Sequence, residues 1–227
     1  ASGTCRSRRL NLHGVDVNRN WNVTWELGDS HAGSDTYHGT APFSEPETRG
    51  LRDLVHLHRP KAILHWHGWC AAARRPPAAR CRPPTLRSAD LHHLFHHLRG
   101  NDIAYPFSYA WNAKLKPDEL GLFQEIAAEM AQTNHYSYGR AWESVGYTTN
   151  GEADDWGWAS EGIPSWTVEV GTSKDSFWPA PSRIGTIAQE NVWAARTLAW
   201  AAGPQLQLDS VSVRPADASG KNIEVSL

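Results

Sequence analysis

The sequence predicts an α/β protein with a mixed central β-sheet flanked by helices. Residues 45–58, 117–132 and 184–202 each place apolar side chains at the spacing of one helix face. Residues 61–68 and 162–171 are short apolar runs, which are typical of strands. Because helices and strands alternate along the middle of the chain, we expect the helices to cover a sheet.

Composition and charge indicate which kinds of partner to expect. The 227 residues suffice for one domain with a sizeable core, and the formal net charge is -2. No apolar run is long enough to span a membrane. Outside residues 70–101 there is no basic patch of the kind that binds nucleic acid. We therefore expect neither a membrane span nor a nucleic-acid partner.

Residues 14–21 gather Asp16, Asn18, Arg19 and Asn20 in one short segment. An arginine beside an asparagine on a tight turn offers a guanidinium fork and an amide. Together these groups can bind a carboxylate through charge-assisted hydrogen bonds. A solvated polar turn has the same pattern, so the spacing alone leaves both interpretations open.

The first helix is predicted at residues 45–58, with Ser44 and Glu47 forming a capping box at its start. Pro60 ends this helix. Its apolar face comprises Leu51, Leu54, Val55 and Leu57. We expect this face to pack against the sheet.

Residues 61–68 predict a buried strand that carries His65 and His67 at its carboxyl end. Active sites of open α/β sheets gather at such strand ends. The two histidines lie two positions apart, so their side chains point to the same side of the strand. Taken alone, each is compatible with a metal ligand or with a hydrogen-bonded core histidine.

Residues 70–101 interrupt the alternation of helices and strands. The segment is rich in Arg, Pro and Ala, and it then carries His92, His93, His96 and His97. Histidines four positions apart can share a helix face and bind a metal. A solvated loop inserted into the domain, or an error in the gene model, explains the same composition.

The strand-like run at residues 162–171 contains a single carboxylate, Glu169. Burying a glutamate among apolar neighbours is costly unless it is paired or functional. Burial would raise its pKa toward values that suit proton transfer near neutral pH. A glutamate on an edge strand that faces water would need no such role.

The end of the chain changes character. Residues 184–202 predict the closing helix of a domain that covers residues 1–203. Residues 204–227 then alternate apolar and polar side chains, which predicts the first strands of a β-rich extension. This segment is too short to build a core, so we expect the extension to be truncated.

The chain resembles the zinc metallocarboxypeptidases, the funnelin family, from about residue 9 to residue 201. The chain matches the motif G-R-x-N-x-x-x-x-D-L-N-R-N-F in order and spacing at Arg9, Asn11, Asp16, Asn18, Arg19 and Asn20, although Ser7-Arg8 replaces the leading glycine. Residues 37–47 and 147–156 are similar to further family segments. The resemblance implies the family's mixed sheet flanked by helices, here incomplete at the N-terminus.

The resemblance also implies what the site binds. Asn18 and Arg19 would hold the terminal carboxylate of a peptide or protein, and Tyr147 would hydrogen-bond the same terminus. Asp154 stands where family members that favour Lys or Arg often carry an aspartate. This position hints at a basic terminal residue, unless Glu152 and Asp154 face solvent.

Catalytic roles are carried over in the same way. Glu169 matches the family's general base, which takes a proton from zinc-bound water. Arg9 matches the arginine that polarises the scissile carbonyl. His67 matches the last zinc-binding histidine, and His65 is the second candidate for that position.

Zn²⁺ is the cofactor that the family implies, but only one of its usual three protein ligands is present. The family draws the other two from an H-x-x-E motif upstream, and no histidine of this sequence has Glu three positions later. We therefore expect an N-terminally truncated carboxypeptidase domain that is inactive by itself. The alternative is a non-catalytic relative that binds peptide C-termini.

Overall fold

The computed structural model describes residues 9–68, 100–144, 147–172, 174–175 and 179–204, and the strands at 212–215 and 223–226. The helices are two short 3-10 helices, Val17–Arg19 and Trp25–Leu27, then α1 Pro46–His58, α2 Pro117–Met130, α3 Ala141–Ser144, α4 Ala153–Ala159, α5 Pro181–Glu190 and α6 Val192–Ala201. The strands are β1 Ile63–Gly68, β2 Asp102–Tyr105, β3 Ser137–Arg140, β4 Ser165–Val170, β5 Ser212–Pro215 and β6 Ile223–Ser226. No described helix is long and apolar enough to cross a membrane.

The first four strands form one mixed sheet in the order β1-β4-β2-β3. Strand β1 runs parallel to β4, and β2 runs parallel to β3. Strands β2 and β4 are antiparallel. This sheet and its flanking helices confirm the predicted α/β class.

The main core lies between the sheet and helices α2 and α6. Ile103, Phe123, Trp166 and Val168 have no exposed surface, and Ala194 of α6 completes the contact. The Trp166 indole N–H also donates to the Phe123 carbonyl across 3.3 Å, which satisfies its polar group inside the core. The packing places β4, the strand that carries Glu169, in the middle of the sheet.

Helix α1 confirms the predicted element but corrects two of its details. Ser44 does not cap the helix, because its hydroxyl donates to Glu45 and accepts from the Asn20 amide. The apolar face is largely exposed at Leu51, Leu54 and Leu57.

Strand β1 pairs only with β4 among the described residues, so it is a partly exposed edge and not the buried strand that was predicted.

The closing helix, predicted as one element, consists of two. The chain leaves helical geometry at Asn191, where φ is -103° and ψ is 0°. The Asn191 amide donates to the carbonyl of Ile187 and to the Tyr136 hydroxyl, and these bonds stabilise the break. A side chain that competes for backbone carbonyls in this way favours helix ends over helix interiors.

Two further predictions concern the segments at about 70–101 and 204–227. The first lies almost wholly outside the described residues, and so do its four clustered histidines. In the second, β5 and β6 pair antiparallel, which confirms that strands occur there. The division into domains at 1–203 and 204–227 stays a prediction.

Candidate active site

The segment from Asp16 to Arg19 is a buried charged cluster and not a solvated turn. One Asp16 carboxylate oxygen accepts from the Asn18 N–H at 3.2 Å, which caps the first 3-10 helix. The other oxygen lies 2.9 Å from Arg9 Nε and 4.0 Å from Arg19 Nε. Asp16 and Arg19 are both buried. The aspartate therefore fixes the orientation of the Arg9 guanidinium and places a negative charge near Arg19.

The loop that precedes α4 is hydrogen-bonded to the backbone that follows this cluster. The Gly151 N–H donates to the Val23 carbonyl, and the Gly151 carbonyl accepts from the Trp21 N–H at 3.2 Å. A side chain at position 151 would put Cβ 2.3 Å from the Arg19 carbonyl oxygen, and φ there is +68°. Glycine is required at this point because the two backbones approach so closely.

Glu152, the next residue of this loop, reaches into the Asn18 and Arg19 pair. Its Oε1 accepts from Arg19 Nη1 at 2.8 Å and from Asn18 Nδ2 at 3.3 Å. The Asn18 amide is oriented by the Ala153 N–H, which donates to Asn18 Oδ1 at 3.1 Å. Burial would lower the pKa of Arg19, but the carboxylates of Glu152 and Asp16 outweigh it and raise the pKa. The guanidinium thus stays charged.

His67 and Glu169 face each other across the β1–β4 pair. They are register partners, and His67 Nδ1 lies 3.3 Å from Glu169 Oε1. Burial would lower the pKa of the His67 imidazole, yet its hydrogen bond to Glu169 and the charge of that carboxylate raise it. Glu169 lies on a central strand with its side chain 16% exposed, so it is not a solvent-facing edge glutamate.

His65 occupies a different environment from His67. It lies opposite Thr167 in the strand register and contacts the Trp21 ring edge to face, with centroids 6.5 Å apart. Burial and the neighbouring His67 lower the pKa of His65 to about 3. The side chain is therefore a neutral imidazole at physiological pH.

Asp154 and Asp155 begin helix α4 in the interior. Asp154 is 1% exposed, and its Oδ2 accepts from the Thr167 hydroxyl at 3.2 Å. Both Asp155 oxygens accept from the Ser108 N–H at 3.0 Å. Burial, together with the charge of Glu152, raises the pKa of Asp154 to about 7. The interpretation of Asp154 and Glu152 as solvent-facing is wrong, since the Glu152 side chain is only 12% exposed.

Tyr147 borders the same region with about half of its surface exposed. Burial raises the pKa of its phenol. The positive charges of Arg19 and Arg9 oppose that rise in pKa, while the negative charges of Glu152 and Glu169 add to it. Charges from distant parts of the sequence therefore act on the Tyr147 hydroxyl.

The comparisons with known proteins point to one family. A family model described as zinc carboxypeptidase matches residues 2–194. The chain belongs to the zinc carboxypeptidase family.

Named carboxypeptidases are among the relatives. Carboxypeptidase B of Rattus norvegicus is 29% identical over 195 residues, which cover 82% of this chain and 39% of that protein. Carboxypeptidase A6 of Homo sapiens is 27% identical over 164 residues, which cover 70% of this chain and 31% of that protein. The chain thus spans between 31% and 39% of the length of these curated relatives.

Solved structures of carboxypeptidase relatives share the fold. Thrombin-activatable fibrinolysis inhibitor matches with a TM-score of 0.60 at 25% identity, over 83% of this chain and 43% of that one. The bovine protein, solved in complex with tick carboxypeptidase inhibitor, matches with a TM-score of 0.61 at 25% identity, over 86% of this chain and 60% of that one.

The family uses zinc, but the described residues do not by themselves form a zinc site. Within them no group of three or more His, Cys, Asp and Glu side chains could hold a metal. His67 lies beside Glu169, and the next histidine, His65, is packed against Trp21. The sequence also lacks the family's H-x-x-E pattern. A zinc ion with the usual three protein ligands therefore has no complete site among the described residues.

The structure brings the predicted site residues into two groups, and the charge of Glu152, the partner of Arg19, also acts on His67. Arg9 is joined to Arg19 through Asp16, and His67 lies against Glu169. Sequence reasoning missed Glu152 as a partner of Arg19. The only signal was an acidic residue between Gly151 and the buried aspartates, and spacing alone could not assign its partner.

Proposed function

We propose that this site recognises the C-terminal carboxylate of a peptide or protein, as part of a protein that hydrolyses the terminal peptide bond. One observation carries the proposal: Arg19 Nη1 and Asn18 Nδ2 already converge on a carboxylate oxygen, that of Glu152. A buried guanidinium with an adjacent amide donor binds a carboxylate strongly and with defined orientation. The Tyr147 hydroxyl is the third group that would bind the terminus.

Two residues are proposed to act on the bond itself. Glu169 would accept a proton from the attacking water and pass it to the leaving amine. Its place on a central strand, beside His67, supports this role. Arg9 would stabilise the developing oxyanion, since a fixed charge in a partly buried site is worth several kcal/mol of barrier. Arg9 is held ready by Asp16.

Hydrolysis by the 227-residue chain alone is not proposed. Zinc activates the water in this family, and the described residues include no group of three or more side chains that could hold the ion. We propose His67 as the one zinc ligand among them. We propose that the chain binds peptide C-termini without cleaving them. The alternative function, a non-catalytic relative that binds C-terminal carboxylates, is favoured by the same ligand count and uses the same clamp.

A preference for terminal lysine or arginine is also proposed. Asp154 is buried with a carboxyl whose pKa burial raises to about 7, so a cation bound nearby would favour its ionised form, and Glu152 adds a carboxylate beside Arg19. Acidic side chains in a partly buried pocket favour a cationic ligand over an apolar one. Equal binding of peptides that end in leucine and in lysine would contradict this preference.

The test compares peptides that differ only at their last carboxylate. Fluorescence anisotropy with the full chain should show that a peptide with a free C-terminus binds more tightly than its C-terminal amide. Arg19→Gln should abolish the difference, because the charged half of the clamp is lost. The matched control is Arg196→Gln on α6, at an exposed arginine away from the site. Equal binding of acid and amide by the unaltered protein would refute the proposal.

A further inference from the structure

Glu152 lies where a substrate's terminal carboxylate would have to bind. We propose that Glu152 is a built-in competitor for the clamp formed by Asn18 and Arg19, and that it thereby selects peptides that end in lysine or arginine. The inference rests on the proposed function, since the clamp must be where the substrate carboxylate binds.

The local charges make the competition unavoidable. Each guanidinium already has an acidic partner, Asp16 for Arg9 and Glu152 for Arg19. Glu169 is a further carboxylate, and its charge, like that of Glu152, acts on His67. A peptide carboxylate that entered beside Glu152 would add a further negative charge at close range, which is strongly unfavourable in a partly buried site. Binding therefore requires Glu152 to leave Arg19.

Glu152 would leave Arg19 by rotation of its side chain, since the backbone beside it is held in place. The backbone around it is held by the bonds of Gly151 to Trp21 and Val23 and by the bond from Ala153 to Asn18. The described side-chain hydrogen bonds of Glu152, by contrast, all converge on one oxygen, Oε1. A change of rotamer breaks both bonds together and leaves the loop in place.

The last residue of the peptide then decides whether the displaced Glu152 carboxylate finds a new cationic partner. With a terminal lysine, the peptide carboxylate takes Arg19 and the ammonium group can take the displaced Glu152. This exchange replaces the one ion pair of Arg19 with Glu152 by two ion pairs. With a terminal leucine, Glu152 keeps its charge in a confined site without a partner, which is costly. The same competitor therefore weakens binding of apolar termini more than binding of basic ones.

The test uses acetylated pentapeptides that differ only in a terminal Lys, Leu or Lys-amide. Affinities for the full chain are measured by fluorescence anisotropy, and circular dichroism verifies the fold of each variant. Glu152→Gln keeps the length of the side chain without its charge, and Glu152→Gly removes it. The control is Glu26→Gln, at an exposed glutamate away from the clamp.

We expect both Glu152 variants to bind the leucine peptide about tenfold or more tightly than the unaltered chain, the size of one lost charge-assisted contact. The gain for the lysine peptide should be smaller, so the preference for lysine over leucine should fall. Glu26→Gln should change neither affinity.

Two failures can be told apart. Unchanged affinities in both Glu152 variants, with the acid still preferred over the amide, would overturn the competitor and leave the proposed function intact. If Glu152→Gly bound the lysine acid and the lysine amide equally, no carboxylate clamp would exist, and the proposed function would be refuted together with the inference.

Discussion

Replacing Asp154 with asparagine should stabilise the protein at neutral pH and much less in acid. Burial raises the pKa of this carboxyl from an ordinary 3.8 to about 7. Between these values the folded protein holds a proton that the unfolded chain has lost, so this group's contribution to stability falls as pH rises. The span of about three pH units, at about 1.4 kcal/mol per unit, corresponds to at most about 4 kcal/mol.

Asparagine removes this contribution and keeps the local contacts. Its side chain has the same shape, and its amide can bond the Thr167 hydroxyl in place of Oδ2. The free energy of unfolding of Asp154→Asn, minus that of the unaltered chain, should therefore grow between about pH 4 and pH 7 and then stay level. The difference between the two chains is the quantity to measure, because other groups also change the stability with pH. His65 is one of them: its pKa is lowered to about 3, so it reduces the stability of both chains as pH falls.

The assay is urea unfolding followed by tryptophan fluorescence at about pH 4.5, 6 and 8, since the unfolding free energy varies linearly with urea. Asp53→Asn serves as the control, because the Asp53 side chain is 64% exposed. A difference between Asp154→Asn and the unaltered chain that did not change with pH would refute the reasoning. It would show that the carboxyl titrates at its ordinary pH in the folded state.

Two other predictions concern the loop after β4 and the metal. Arg183→Met should lower the free energy of unfolding at pH 7, because Arg183 donates to both Asp175 oxygens. The loss should be small, because the Arg183 side chain is 40% exposed. The hydrogen bonds of Arg183 hold the pKa of Asp175 well below the usual range. The loss of unfolding free energy should therefore shrink in acid, where Asp175 is protonated. A loss that is independent of pH would contradict this account. Metal analysis of the purified chain should find well below one zinc per molecule, because one histidine binds zinc weakly; near-stoichiometric zinc that disappears in His67→Ala would show that a complete site exists.

Element types were predictable because they depend on local periodicity. The helix predicted at 45–58 is found at Pro46–His58, and that at 117–132 is found at Pro117–Met130. Details that depend on partners elsewhere in the chain were predicted wrongly. The capping box failed because Asn20 binds Ser44, and the closing helix breaks because Asn191 binds Tyr136. Neither partner is a neighbour in the sequence.

The sequence by itself determined the α/β class and the charged segment from Asp16 to Arg19, because helix periodicity and motif spacing are local properties of a chain. Only the tertiary structure decided which acid meets which base. Arg19 and its partner Glu152 lie 133 positions apart, and His67 and Glu169 lie 102 positions apart. Such pairs are set by strand register and by the close approach of the loop around Gly151 to the Arg19 backbone. The physical reason is that a charge acts through space on whatever folding brings beside it, and spacing along the chain carries no information about that distance.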